Sequence, residues 1–163
     1  MRWLVRQFLF LMIGVLQLAG GELKINAENG LEFSTITREM LWRGPVQLSR
    51  GAWVVTSEGN VRSYFDRVLK KKMIDGKKDY QVRPRLRSSV ITAPVKITLG
   101  REVKVTAPHL VWLAEKRMLR SAGLGITIQD RGVSWRSTGS KSVLLISESG
   151  EMIRQGAWLK NSQ

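Results

Sequence analysis

Few residues in this chain could perform catalysis. His109 is the only histidine among 163 residues and there is no cysteine, which excludes a multi-histidine metal site, a thiolate zinc site, a cysteine nucleophile and a disulfide. The stretch STGSKS at 137–142 lacks the Gly-Lys pair of a P-loop, and the acidic pair Glu148 and Glu151 has no supporting site. We therefore expect a protein without enzymatic activity, catalytic residues, metal or cofactor.

The chemistry that the sequence does offer is cationic. The chain carries 27 Lys and Arg against 13 Asp and Glu, a net charge of +14, which predicts an anionic partner such as nucleic acid, an anionic lipid or a phosphorylated glycan. Half of this excess lies in residues 62–87, which include a strongly basic stretch at 67–80.

This basic region has two interpretations. It is either a solvated hairpin that keeps the protein soluble or a clamp for the anionic head group of a glycolipid, with bidentate contacts from Arg and point charge from Lys. The predicted head-group residues are Lys70, Lys71, Lys72, Lys77, Lys78, Arg83, Arg85 and Arg87.

The first 21 residues have the layout of a bacterial export signal. Two arginines precede an unbroken apolar run at 8–16, and small residues follow at 19–21. The pattern predicts a cleaved signal peptide or a retained membrane anchor, in preference to a buried helix. We expect an N-terminal signal or anchor helix over 1–21 and an exported β domain over 22–163.

Beyond residue 22, short apolar runs alternate with polar residues, as in LKINA at 23–27, PVKITL at 94–99 and GITIQ at 125–129. Period two is typical of half-buried strands, and the glycines between the runs indicate turns. The sequence therefore predicts an all-β fold of antiparallel strands.

The strand pattern also repeats along the chain. ELKINAENGLEF at 22–33 aligns without a gap on EVKVTAPHLVWL at 102–113, and TREMLWRG at 37–44 returns in altered form at 116–123 and 149–156. One unit of this size cannot bury its own apolar face, so successive copies are expected to stack into an elongated antiparallel jelly roll. This alignment makes four positions equivalent, separated by 45, 33 and 34 residues: Leu41, Leu86, Leu119 and Ile153. The longest spacing contains 67–80, which we interpret as a basic insertion.

Residues 25–65 contain a strand, a turn and a strand leading to Arg-Gly-Pro-Val, then a Gly-x-Trp strand and an aromatic exit at Tyr64 and Phe65, and the pattern recurs over 102–137. This pattern resembles the OstA-like family of periplasmic lipopolysaccharide-transport proteins (LptA- and LptC-like proteins). The resemblance implies a periplasmic location, with tethering to the inner membrane if residues 1–21 are retained. It implies a twisted, open β jelly roll that holds the acyl chains of lipid A in an apolar groove. It further implies edge-strand pairing with homologous jelly-roll proteins of a transport bridge, and cooperation with an inner-membrane lipid-export ABC transporter complex.

The resemblance also implies which residues line the groove, namely Ile25, Leu31, Phe33, Leu41, Val46, Leu48, Trp53, Val95, Ile97, Val105, Val111, Leu113, Leu119, Ile126, Ile128 and Trp135. The residues alone favour an ordinary sandwich core, and it is the resemblance that favours the groove. The alternative function is a basic cell-envelope scaffold that binds anionic polymer and has no lipid groove. Nucleic-acid binding, with Trp42, Trp112 and Trp158 as outer-face stacking platforms, is disfavoured by the export signal, and we expect no nucleic-acid partner.

Overall fold

The computed structural model describes residues 14–18, 21–74 and 76–162, and this part of the chain is all-β with no helix, as the alternating pattern predicted. It forms two antiparallel sheets. The nine-stranded sheet contains β1 (Gly14–Leu18), β2 (Gly21–Ala27), β5 (Val46–Arg50), β6 (Trp53–Ser57), β9 (Val95–Leu99), β10 (Val103–Ala107), β13 (Thr127–Asp130), β14 (Val133–Ser137) and β17 (Trp158–Ser162). The eight-stranded sheet contains β3 (Leu31–Ser34), β4 (Glu39–Trp42), β7 (Val61–Ile74), β8 (Lys77–Ile91), β11 (Leu110–Leu113), β12 (Met118–Ala122), β15 (Val143–Ser147) and β16 (Met152–Gln155).

The chain builds both sheets together, because it adds one antiparallel strand pair to one sheet and the next pair to the other. The strand orders are β1-β2-β5-β6-β9-β10-β13-β14-β17 and β3-β4-β7-β8-β11-β12-β15-β16. Neither sheet closes on itself within the described part of the chain, so β1, β17, β3 and β16 are edge strands there. The result is an open sandwich that grows along one axis, which agrees with the predicted stacking of repeats.

The predicted N-terminal helix is not supported in the described residues. Gly14–Leu18 form strand β1, which pairs antiparallel with β2, Leu18 lying opposite Gly21. Residues 1–13, 19 and 20, on which the rest of the predicted signal or anchor falls, lie outside the described residues. In the part of the chain that the structure describes, no helix has the length and apolar character that a bilayer crossing requires.

Cross-strand pairing arranges the core as continuous rows of side chains. In the nine-stranded sheet one inner row runs through Ile25, Leu48, Val55, Ile97, Val105, Ile128 and Trp135. In the eight-stranded sheet a facing row runs through Phe33, Met40, Ser63, Ser89, Trp112, Leu119, Ile146 and Met152. The central members of both rows are buried, so the interior is a packed apolar layer between the sheets.

The two buried serines of the second row satisfy one another. Ser63 Oγ and Ser89 Oγ are 2.8 Å apart, and the indole Nε1 of Trp42 donates to Ser63 Oγ at 3.1 Å. These bonds matter because an unpaired hydroxyl in an apolar interior is costly. They also place Trp42 firmly inside the sandwich.

Three predicted groove residues lie on the outer face instead. Leu41, Val111 and Leu113 are half-buried, and their strand neighbours Trp42 and Trp112 are the ones that point inward. Trp42 and Trp112 are therefore core residues and not the outer-face platforms that the nucleic-acid hypothesis required.

Loop length explains the error at Val111 and Leu113. Three residues, 28–30, connect β2 to β3, whereas only residues 108 and 109 connect β10 to β11. The gap-free alignment therefore slipped by one residue after the turn, and a slip of one residue reverses the face of every side chain in a strand.

A shared turn explains the error at Leu41. Arg38 and Arg117 both adopt positive φ in four-residue loops, at 55° and 51°. Aligning these two turn residues makes Met40, not Leu41, equivalent to Leu119. The alignment also made Ile153 equivalent to Leu41, Leu86 and Leu119. Ile153 lies on the outer face and is exposed, whereas Leu86 and Leu119 are buried.

We predict that truncation of core and end residues will have very different costs. Ile128→Ala should lower the free energy of unfolding by about 2–5 kcal/mol, because Ile128 is 1% exposed and its loss leaves a cavity. Phe33→Ala should cost about 1 kcal/mol or less, since Phe33 is 54% exposed. Urea unfolding followed by circular dichroism measures both. Equal losses would contradict the inner-row assignment.

Candidate functional site

The apolar interior is open at the end formed by β3 and β4. The side chains of Leu31, Phe33 and Met40 continue the inner face there. They are only partly covered, and Phe33 is the most exposed of the three. The reason is topological, because β3 is an edge strand of its sheet among the described residues. Apolar inner-face surface is thus accessible to a ligand at this end.

The opposite end of the interior is capped by cations. The guanidinium carbon of Arg154, from β16, lies 3.4 Å from the ring centroid of Trp135, and Lys160 Nζ, from β17, lies 5.3 Å from it. Both geometries are attractive cation–π contacts. Because Arg154 and Trp135 belong to different sheets, the contact ties the sheets together at this end.

The structure places the predicted groove residues in three groups. Buried on the inner faces are Ile25, Val46, Leu48, Trp53, Val95, Ile97, Val105, Leu119, Ile126 and Ile128. Leu31, Phe33 and Trp135 lie at the two ends of the inner faces and are more accessible. Leu41, Val111 and Leu113 do not join the groove, as described above. Contact with lipid remains a prediction for the first two groups.

A basic cleft of about 520 Å³ lies beside the interior, a volume within the usual range for ligand sites. Five of its lining residues are cationic and two are acidic. It is lined by Arg50, Asp66, Arg85, Leu86, Arg87, Ser88, Leu113, Ala114, Glu115, Lys116 and Arg117. Asp66 lies 3.9 Å from Arg85 and 3.8 Å from Arg87, which are long contacts between exposed groups and therefore weak. Arg85 and Arg87 thus have donor capacity left for an anionic ligand.

Arg50 forms the floor of the basic cleft and was missed by the sequence reasoning. Its side chain is 3% exposed; Nε lies 3.2 Å from a carboxylate oxygen of Glu148, and its guanidinium carbon lies 5.3 Å from the Trp112 ring centroid. Glu148 also lies 3.9 Å from Arg117 on the rim. The signal was present in VQLSR at 46–50, where the alternation that buries Val46 and Leu48 also turns Arg50 inward.

The predicted head-group residues do not form one cluster. Arg85 and Arg87 line the basic cleft, whereas Lys70, Lys71, Lys78 and Arg83 lie further out on the β7–β8 hairpin and are exposed. Lys70 is four residues beyond Asp66 on β7, which corresponds to about 13 Å along an extended strand. Lys72 and Lys77 belong to the same two strands near their connection. Two separate cationic regions therefore replace the single predicted clamp.

Neither a protein-family model, nor a curated protein, nor a solved structure matches the chain. The resemblance to the OstA-like family therefore depends on the sequence pattern alone.

We predict that Glu148→Gln will destabilise the fold by an amount on the order of 3 kcal/mol, because it removes the carboxylate charge facing the buried Arg50 guanidinium. Glu102→Gln is the matched control. It breaks the ion pair between Glu102 and Arg131, whose side chain is 80% exposed. The hydrogen bond to Glu102 and the charges of Glu102 and Asp130 raise the pKa of Arg131. An exposed pair of this kind nevertheless contributes little to stability. Thermal melting should show a loss for Glu148→Gln alone. If both variants melt alike, the Arg50–Glu148 pair does not support the cleft.

Proposed function

We propose that this protein binds an anionic glycolipid of the lipopolysaccharide type and carries or bridges it across the periplasm towards the outer membrane. The observation that carries the proposal is the exposed apolar inner face at the β3–β4 end, in the same sheet as a strand that lines the basic cleft. Three strand spacings, about 15 Å, separate β3 from β8, which carries the cleft residues Arg85 and Arg87. One amphipathic ligand can span that distance.

The two parts of the site suit the two parts of such a ligand. Phe33, Leu31 and Met40 offer surface that cannot hydrogen-bond, and each acyl methylene buried there contributes about 0.8 kcal/mol. Arg85, Arg87 and Arg117 offer planar guanidinium groups, which bind phosphate through two parallel hydrogen bonds. The fit is to a molecule with acyl chains and phosphate groups together.

The buried part of the interior limits where acyl chains can bind. Side chains such as Trp53, Leu119 and Ile128 are 0 to 1% exposed, so a ligand enters between them only if the two sheets move apart. Binding at the β3–β4 end requires no such movement. We therefore place the acyl chains first against Phe33 and its neighbours, with deeper residues reached as the sheets separate.

The close packing of the interior favours a second candidate function. A basic cell-envelope scaffold would bind anionic polymer through its cations and keep a dry core. The two candidates differ in a displacement assay with a fluorescent acyl probe. The carrier gives saturable binding that lipid A displaces, whereas the scaffold binds polyanions such as heparin and gives no saturable acyl binding.

For the carrier, Phe33→Asp should weaken lipid A binding at least tenfold, equivalent to about 1.4 kcal/mol, because a charge replaces the apolar surface at the open end. Leu41→Asp is the matched control, since Leu41 lies on the neighbouring strand but on the outer face. Displacement titrations measure both affinities, and circular dichroism verifies folding.

Equal affinities for these two variants would argue against binding at the β3–β4 end. The head-group part of the site is tested separately with Arg85→Gln and Arg87→Gln combined. This variant should lose affinity for phosphorylated lipid A and keep its affinity for the dephosphorylated form.

The same proposal includes a partner at the sheet edge. A homologous jelly-roll protein of a transport bridge, linked to a lipid-export ABC transporter complex, would continue the eight-stranded sheet by pairing its first strand with β16. Ser147 N–H donates to Glu151 C=O at 2.9 Å, and bonding alternates along an antiparallel pair. The N–H groups of Ile153 and Gln155 therefore face β15, and those of Met152 and Arg154 face outward to a partner strand.

We predict that Met152→Pro will abolish head-to-tail association, because it removes an outward N–H without removing a bond to β15. Met152→Ala, which loses the same side chain and keeps the N–H, should associate normally. Sedimentation velocity or crosslinking of the whole protein measures the association. If the alanine variant fails as completely as the proline variant, packing of the side chain and not strand pairing explains the loss.

A further inference from the structure

The outer part of the β7–β8 hairpin is a two-stranded ribbon that extends beyond the rest of its sheet. Strand β4 pairs with 61–64 of β7, and β11 pairs with 88–91 of β8. From Asp66 and Arg85 outward, the two strands pair only with each other among the described residues. The eight residues from 67 to 74 correspond to about 25 Å of strand. We call residues 67–74 and 77–84 the ribbon.

The pairing register sorts the exposed apolar residues of the ribbon onto one face. Leu69 lies directly opposite Val82, while Tyr80 and Met73 follow on the same face, opposite Lys71 and Lys78. These four side chains are 57 to 68% exposed. Their face is the outward continuation of the inner face that carries Phe65 and Leu86, both of which are buried in the core. We call the four residues the apolar stripe.

Cations border the apolar stripe on the same face and also occupy the reverse face. Arg67, Lys71 and Lys78 share the face of the stripe, and Lys70 and Arg83 point the opposite way. All five are exposed. The ribbon is therefore amphipathic in a specific sense, with a narrow apolar strip set among positive charges.

We propose that the ribbon docks on the surface of an anionic phospholipid bilayer. An apolar strip bordered by Lys and Arg matches the interfacial region, where apolar side chains enter between lipid head groups and cations meet their phosphates. Isolated two-stranded ribbons are marginally stable in water, and covering the stripe would remove its exposed apolar area. A bilayer needs no shape complementarity from so narrow an element.

Charge selects the bilayer over a second copy of this chain. Residues 62–87 contain ten Lys and Arg against three Asp, so two ribbons placed face to face would repel each other. An anionic surface instead attracts the same charges. The proposal is independent of glycolipid carriage, because it concerns ordinary phospholipid and residues outside the interior and the basic cleft.

The absence of cysteine from the chain permits a direct test with single labels. Val82→Cys, on the stripe, and Gln81→Cys, on the reverse face, are each labelled with the environment-sensitive fluorophore NBD. The whole protein is then mixed with vesicles of equal parts phosphatidylglycerol and phosphatidylcholine, or of phosphatidylcholine alone. We expect a blue shift and a severalfold rise in emission for the label at 82 with anionic vesicles only, and a much smaller change for the label at 81.

Two further variants separate the apolar and the cationic contributions. The first is a four-serine variant, in which Ser replaces every residue of the apolar stripe. It should reduce the affinity of the protein for anionic vesicles at least tenfold. The second variant carries Gln in place of Lys70, Lys71 and Lys78. In this variant, vesicle affinity should lose most of its dependence on salt concentration. The matched control is Lys24, Lys96 and Lys104 replaced by Gln, which removes the same charge from exposed positions of the nine-stranded sheet and should leave binding nearly unchanged.

Three results would overturn the proposal. One is a label at 82 that does not respond to anionic vesicles while the protein remains folded by circular dichroism. Another is an equal response at 81 and 82, which would mean general adsorption. The third is a concentration-dependent oligomer, seen by sedimentation without vesicles and lost in the four-serine variant, which would make the stripe a protein interface.

Discussion

The contact between Trp53 and Trp112 joins the two sheets at the centre of the molecule. Their ring centroids are 5.4 Å apart at an interplanar angle of 56°, and both side chains are almost fully buried. Trp112 belongs to the inner row of the eight-stranded sheet, and Trp53 lies on the same inner face of the nine-stranded sheet as Val55, so the contact requires that both strands keep these side chains turned inward. Arg50 then fits beneath Trp112 only because that ring points inward. The core, the buried ion pair and the floor of the basic cleft thus depend on one packing arrangement.

An open sandwich has consequences that a closed barrel would avoid. Among the described strands, β3 and β16 each have only one neighbour in their sheet, and the inner faces reach the surface at their ends. At one end Arg154 covers Trp135, whereas at the other end Phe33 remains exposed. This asymmetry gives the molecule a direction, with one accessible apolar end and one capped end. The proposed carriage of glycolipid along a bridge uses that direction.

The positive charges occupy three environments that differ in their exposure to solvent. Arg50 is buried and neutralised by Glu148, so its charge supports structure. Arg85 and Arg87 line a cleft and face solvent, where they can exchange water for phosphate. The cations of the ribbon are exposed at the periphery, where attraction acts over about 8 Å at physiological ionic strength. The first two settings belong to the proposed ligand site and the third to the proposed membrane contact.

The sequence by itself determined the strand content, the stacking of repeated units and much of the core, because period-two alternation is a local property. Ile25, Val105 and Ile128 were assigned correctly to the interior for that reason. The stretch at 67–80 was interpreted as an insertion, since its charge and its lack of a counterpart in the other repeats are visible without coordinates.

Only the tertiary structure decided which face the remaining residues occupy. Val111 was misplaced because the length of a turn, not the strand pattern, sets the parity of the strand that follows. Arg50 acquired its role from Glu148 and Trp112, which are distant in sequence and meet only when the sheets pack. The apolar stripe exists only through the pairing of β7 with β8, because residues as far apart as 69 and 82 share a face solely by virtue of cross-strand register.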